Sequence, residues 1–244
     1  MEVSEYLSAL RSQGDLFAAA AEKADLDVPV PTCPAWRMRD LIRHLGGVHR
    51  WAAAHVRERL TERAQWGSPD AAGITDEAIV DWFREGLAAL ARTLETADPD
   101  LMCWTFLPAP SPLAFWARRQ ALETSIHRAD AESVRGTITP YPAALAVDGI
   151  EELLCSIVPA RKRSIPVHAP RTLHLHATDA DGEWVVVMGQ DGIETRREHA
   201  KADCAVRATA SDLFLLVWNR LTADGLEAFG DATLLDVWRQ HVHV

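Results

Sequence analysis

The chain is short of lysine, of paired cysteine, of basic charge and of long uncharged runs, and each shortage removes a class of function. Of 25 basic residues only Lys23, Lys162 and Lys201 are lysines, and 35 acidic residues outnumber them all. The formal charge of −10 and a pI near 5.4 argue against nucleic acid or an anionic membrane as the main partner, leaving room only for a local basic pocket. Cys33, Cys103, Cys155 and Cys204 form no Cys-x-x-Cys pair, so neither a zinc ribbon nor a thioredoxin-type centre is expected. No uncharged stretch approaches the roughly 20 residues that span a bilayer. The opening Met1-Glu2-Val3-Ser4-Glu5-Tyr6 has no basic segment leading into an apolar run. These features predict a cytoplasmic protein with reduced thiols and no membrane partner.

What is present is an ordinary globular composition, 48% hydrophobic and 25% charged over 244 residues, enough for one large domain or two small ones. The first part of the chain reads as helical. Val3, Leu7, Leu10, Gly14, Phe17 and Ala21 recur at three- and four-residue steps, predicting a helix over Ser4 to Ala24. Prolines between Asp25 and Pro34 end it. A second helix is expected from Met38 to Arg63, with Leu41, Leu45, Val48, Ala52 and Val56 as its apolar stripe. After a loop from Trp66 to Ile74, a third starts near Thr75 or Asp76 and closes at Asp98-Pro99. The stretch Leu101 to Pro112, with Trp104 and Phe106, is too apolar for an ordinary loop. It either caps the bundle core or walls a substrate pocket.

The fourth helix carries the chemistry. Ser111-Pro112 is a capping serine followed by proline at the first helical position, and the run from Leu113 to Glu132 has neither Gly nor Pro. Glu123 and His127 are one turn apart on the same face, about 6 Å along the axis, so both can reach one ion. A buried glutamate on an inward face calls for a partner, and a cation supplies one. Asp130, one turn further, could orient an imidazole. Pairing with Arg128 or Arg135 is the expectation preferred for it.

A third ligand is best sought in Cys33-Pro34-Ala35-Trp36-Arg37-Met38-Arg39-Asp40-Leu41-Ile42-Arg43-His44-Leu45. A Trp shortly after a Pro, eight residues before the His of Leu-Ile-Arg-His-Leu, followed much later by Glu-x-x-x-His, resembles the mycothiol-dependent maleylpyruvate isomerase family of DinB-like metalloproteins. The resemblance implies metal ligands at His44, Glu123 and His127, with zinc the preferred divalent ion. It also implies a low-molecular-weight thiol, mycothiol, as cosubstrate and a small-molecule electrophile as substrate. Geometry disfavours the other histidines of the second helix: His49 lies about 140° around the axis from His44, and His55 about 16 Å further along.

Beyond Gly136 the pattern changes. Pro142 to Val158 is expected as a bridging helix, and Pro159 to Pro170, with Arg161-Lys162-Arg163, as a linker. Leu173, Leu175 and Ala177 alternate with His174 and His176 in the period of a strand, and Asp179 to Gly182 turns into Glu183 to Met188 as its hairpin partner. Cys204 to Thr209 reads as a further strand, Ser211-Asp212 as the cap of a helix to Leu221, and Leu226 to Phe229 and Asp231 to Gln240 as a last strand and helix. The expected class is α+β: a DinB-like four-helix bundle over residues 1–136, a bridge over 137–168 and a C-terminal α/β domain with an antiparallel sheet over 169–244. In the family this last domain is sterol-carrier-protein-like and carries an arginine important for activity, which the resemblance places at Arg220 as a catalytic and cofactor-binding residue. Without the resemblance, Arg220 is a helix-terminal arginine facing the helix dipole. His174 and His176 point to one face. With no third ligand apparent, an exposed sheet face is the expectation.

Two imidazoles and a carboxylate leave a coordination position open, as catalytic sites do. Displacement by a metal-activated thiol would make the protein an S-transferase, which is placed first. Addition to a double bond followed by rotation and release would make it a cis-trans isomerase, placed second. A thiol-independent metal hydrolase and a non-catalytic DinB-like binding protein are the competing classes, and both monomer and homodimer are compatible with the sequence.

Overall fold

The computed structural model describes residues 1–65, 73–162 and 164–242. Most of the expected loop between Trp66 and Ile74, together with Arg163 of the basic triplet, lies outside them. The architecture is α+β, and the chain divides into two compact units, Met1–Thr139 and Pro140–Val244.

The first unit is built on α1 (Val3–Glu22), α2 (Met38–Arg57), α3 (Ile79–Glu95, entered through a 3-10 turn at Asp76–Ala78) and α4 (Pro112–Ser133). Leu10, Phe17, Leu41, Ile42, Leu45, Phe83 and Leu90 are wholly buried between them. Phe17 and Phe83 stack at 4.6 Å. α2 stops at Arg57, short of the expected Arg63, because Arg59 takes a left-handed φ of 51° and Leu60 N–H returns to the His55 carbonyl at 3.1 Å. Neither Gly nor Pro marks that ending in the sequence.

Ser111 Oγ accepts from Ala114 N–H at 3.1 Å, the expected cap of α4. This helix is buried around most of its circumference, including Arg119, Gln120, His127, Arg128 and Asp130. The aromatic connection before it closes over the bundle: Trp104 N–H donates to the Leu60 carbonyl at 2.6 Å, Trp116 Nε1 donates to the Trp104 carbonyl at 3.1 Å, and Phe106 meets Phe115 edge-on at 4.8 Å. Of the two readings of this segment, capping the core is the one these contacts describe.

The second unit contains α5 (Ala143–Glu152), which runs through a π-helical turn at Leu153–Ile157 into α6 (Val158–Ala160). Then follow β1 (Arg171–Ala177), β2 (Glu183–Gly189), β3 (Gly192–Arg196), β4 (Cys204–Ala208), α7 (Ala210–Val217), β5 (Glu227–Gly230) and α8 (Thr233–His241). The sheet order is β3-β2-β1-β4-β5, antiparallel throughout except for the parallel pair of β1 and β4. Leu173, Leu175, Trp184, Val186 and Val206 bury one sheet face. α5 packs on α7 within this unit, held by Trp218 Nε1 donating to the Gly149 carbonyl at 3.1 Å.

Two details correct the sequence expectations. The α7 cap is Thr209, whose hydroxyl accepts from Asp212 N–H at 3.1 Å, whereas Ser211 Oγ accepts from Tyr141 N–H at 3.0 Å. β3 was not expected at all. Gly230, in β5, has a φ of 80°, and a Cβ there would come within 2.2 Å of the Asp203 carbonyl oxygen, so only glycine fits.

Candidate metal centre

The α1–α2 connection forms a small loop that fixes one wall of the site. Val30 N–H donates to Trp36 O at 3.0 Å, Met38 N–H to Val28 O at 3.0 Å and Trp36 N–H to Cys33 O at 2.8 Å. The Trp36 ring so placed stacks on His44 from α2 at 4.6 Å and on His127 from α4 at 5.8 Å. His44 and His127 meet edge to face at 4.9 Å.

Glu123 Oε1 lies 3.5 Å from His44 Nε2 and 3.3 Å from His127 Nε2, and the three donor atoms are all within 4.8 Å of one another. Ligand atoms at the corners of a tetrahedron with zinc bonds of 2.0–2.1 Å stand about 3.3 Å apart. The donor set and its spacing therefore fit such an ion.

Glu123 Oε2 accepts from the buried Arg119 at 2.6 Å. The carboxylate partner expected to be a metal is thus in part this arginine, one turn back on α4. Burial pushes the Glu123 carboxyl up, but Arg119 and hydrogen bonds from His127 and His44 outweigh it and hold the group well below the usual carboxylate range. Burial pushes His127 down, and hydrogen bonds to Asp130 and Glu123 overcome it, raising its pKa to about 9.

The preferred pairing of Asp130 with Arg128 or Arg135 is corrected: His127 Nδ1 donates to Asp130 Oδ2 at 2.8 Å. Thr32 Oγ1 donates to Asp130 Oδ1 at 2.6 Å and Cys33 Sγ to Oδ2 at 3.4 Å. Once the Nε2 proton is lost to a binding metal ion, the carboxylate keeps the remaining proton on Nδ1 and so leaves the His127 Nε2 lone pair for the metal. Sequence reasoning missed Arg119, Thr32 and Cys33. An arginine four residues before Glu123 was the available signal for the first. Asp130→Asn is expected to lower divalent-metal affinity about 10- to 100-fold, measured by competition against a chromogenic chelator.

His49 and His55 are both fully buried and stand apart from this centre in their bonding. His55 spends both ring nitrogens on backbone: Nδ1 donates to Trp51 O at 2.8 Å and Nε2 accepts from Ala64 N–H at 3.1 Å. His49 Nε2 is hydrogen-bonded to Thr124 Oγ1 at 2.9 Å. Burial is the largest cause lowering its pKa, to about 3. The folded chain thus keeps His49 neutral while the unfolded chain protonates near 6.5. Stability is complete above that pH and falls as pH drops toward 3, at up to about 1.4 kcal/mol per pH unit. Between pH 7 and pH 5 the wild type is expected to lose about 2 kcal/mol more than His49→Gln in denaturant unfolding. Equal losses would show that His49 is not the group.

Residues 7–132 match the family model described as the mycothiol maleylpyruvate isomerase N-terminal domain, and residues 144–236 match that of the MDMPI C-terminal domain. The chain belongs to the mycothiol maleylpyruvate isomerase family. Membership makes it an enzyme. Crystal structures of the mycothiol-dependent maleylpyruvate isomerase and of a histidine-to-alanine mutant of it are similar to the chain at TM-scores of 0.64 and 0.66. Each is 13% identical over 93% of both chains, a likeness of fold. A search of curated proteins returned no match.

Arg220 stands just after α7, where its Nη1 donates to the Trp218 carbonyl at 2.8 Å, at the helix's C-terminal end. His174 departs from the exposed-face expectation. It is buried, and Glu183 and His199 stand beside it. No helix among the described residues is long and apolar enough to cross a membrane.

Proposed function

We propose that the protein is a mycothiol-dependent cis-trans isomerase acting on a small, electrophilic, unsaturated substrate, and that His44, Glu123 and His127 hold a divalent ion, with zinc preferred. The observation that carries this reading is the convergence of two imidazole Nε2 atoms and one carboxylate oxygen in a chain matched by both domain models of the family. The same family match favours isomerisation over the S-transfer placed first from sequence. Bound there, a divalent ion supplies a Lewis acid that lowers the pKa of a neighbouring thiol.

The chain's own groups prepare the site. Asp130 holds the Nδ1 proton of His127 and so keeps Nε2 turned toward Glu123 Oε1. Arg119 holds Oε2 and leaves Oε1 toward the two histidines. Trp36 lies against both imidazole rings and limits water on that side. In the reaction the thiolate adds to one end of the substrate double bond, forming a C–S bond. The remaining carbon–carbon single bond rotates, and elimination restores the double bond and releases the thiol unchanged. Arg220 is proposed, by the family resemblance, to hold an anionic group of the thiol or substrate.

Metal-loaded protein incubated with maleylpyruvate and catalytic mycothiol, followed by NMR, should give the trans isomer with all the thiol recovered. A stable thioether would replace this reading with S-transfer, turnover without thiol with hydrolysis, and no turnover with a binding role. Arg220→Met should depress turnover while leaving metal content at the wild-type level. Loss of bound metal in that variant would remove Arg220 from the role.

A further inference from the structure

The second unit holds another cluster of metal-binding side chains, formed by β1, β2 and the segment after β3. His174 and His176 stand on the sheet face opposite Leu173 and Leu175, and the register sets His176 directly across from Glu183. Glu183 Oε1 lies 3.2 Å from His174 Nε2, 2.6 Å from His176 Nδ1 and 2.5 Å from His199 Nδ1. The donor atoms of His174, Glu183 and His199 are all within 4.8 Å of one another. The His174 and His199 rings are perpendicular, with centroids 5.4 Å apart.

His199 is held there by its neighbour but one. Arg197 Nη1 pairs with Glu151 Oε1 at 2.6 Å and Nη2 donates to the Asp181 carbonyl at 2.6 Å, anchoring the segment beside the β1–β2 turn. Arg207, across from His176 on β4, is engaged with Glu227 at 3.4 Å.

One atom distinguishes this cluster from a hydrogen-bonded surface group. His174 is only 7% exposed, and its Nε2 is fully buried and 3.2 Å from Glu183 Oε1, an approach that makes no well-aligned hydrogen bond. A buried polar atom in that state costs free energy unless something completes it. In the metal-free chain His176 Nδ1 and His199 Nδ1 donate to Glu183 Oε1 at 2.6 and 2.5 Å; an ion that displaces the His199 proton would meet His174 Nε2, Glu183 Oε1 and His199 Nδ1 at a common point.

We propose that His174 Nε2, Glu183 Oε1 and His199 Nδ1 form a second divalent-metal site, separate from the His44–Glu123–His127 centre. His176 hydrogen-bonds the carboxylate and positions it. Two imidazoles and one carboxylate select an ion of the zinc, cobalt or nickel type over calcium or magnesium, which take oxygen ligands. The ion ties the β1–β2 hairpin to the segment that follows β3, so its role is to hold that segment in place.

The full-length protein, stripped with chelator, is reloaded with Zn2+, passed through a desalting column and counted for metal per chain by mass spectrometry. His199→Ala, which removes an exposed loop side chain and leaves the core intact, should bind one equivalent fewer than wild type. His174→Gln should bind one fewer as well. His44→Ala removes a ligand of the other unit, so the equivalent lost in His199→Ala should still be lost in the His44→Ala background, whatever the first centre binds. In parallel, Zn2+ should shift the imidazole nitrogen resonances of His174 and His199 in His44→Ala. Identical metal counts for wild type and His199→Ala, or unmoved resonances of both histidines, would overturn the second site.

Discussion

Replacing His127 with alanine is expected to lower divalent-metal affinity by more than about 100-fold, because partners that merely orient a ligand already account for 10- to 100-fold. The substitution also leaves Asp130 without the Nδ1 proton it accepts at 2.8 Å, although Thr32 and Cys33 still reach it. Turnover in the thiol-dependent assay should fall with metal occupancy. His55→Ala is the control on the same bundle: its nitrogens bond the backbone of Trp51 and Ala64, so it should lose stability and keep its metal. Affinity for Zn2+ by chelator competition, measured beside thermal unfolding, separates the two effects. Equal metal loss from His55→Ala would refute the assignment of His44, Glu123 and His127.

The parts of this centre that could be read in the sequence are those fixed by local geometry. Glu123 and His127 share a helix face whatever the fold, and the uninterrupted run behind Ser111-Pro112 guaranteed that helix. What joined His44 to them was family resemblance, since spacing along α2 does not say which side of α4 it meets. Asp130 was misassigned because local charge counting favours the neighbouring arginines. The tertiary structure instead buries Asp130 completely against the Thr32–Cys33 loop, where it accepts from His127. Arg119 was overlooked for the opposite reason: an arginine inside a helix reads as a solvated residue until α4 is seen to be covered on most sides.

In the second unit the alternation of β1 and its hairpin partner was legible, and β3 was not. Only Ile193 of that strand is buried, so no two-residue pattern exists to detect. The same limitation hid His199. Its approach to His174 depends on the β1–β2 register and on Arg197 anchoring a segment that carries no periodic signal. Pairwise reasoning on His174 and His176 therefore reached neither Glu183 nor His199 as a neighbour of His174.

Arg128→Met is expected to cost about 3–5 kcal/mol of stability, the range for removing one partner of a buried ion pair. Arg128 has no exposed surface, and it ties three parts of the first unit together. Its Nε donates to Gln13 Oε1 of α1 at 3.0 Å, and Nη1 reaches both Glu132 Oε2 at 2.5 Å and the Thr139 carbonyl at 2.6 Å. Glu132 in turn accepts from Thr139 N–H at 2.8 Å, so the arginine closes the end of α4 onto the chain that leaves it. Methionine fills the aliphatic volume but strands the Glu132 charge and the Gln13 carbonyl oxygen. At roughly 2–4 °C per kcal/mol, Tm should drop by about 10 °C in calorimetry. Lysine restores the charge without the planar fork that serves several acceptors, so Arg128→Lys should fall between wild type and methionine. Adding Glu132→Gln to Arg128→Met should recover part of the loss, because it removes the stranded charge. If the double variant is less stable than Arg128→Met by the full cost of Glu132→Gln alone, the two residues are not coupled and Arg128 stabilises the unit through packing instead.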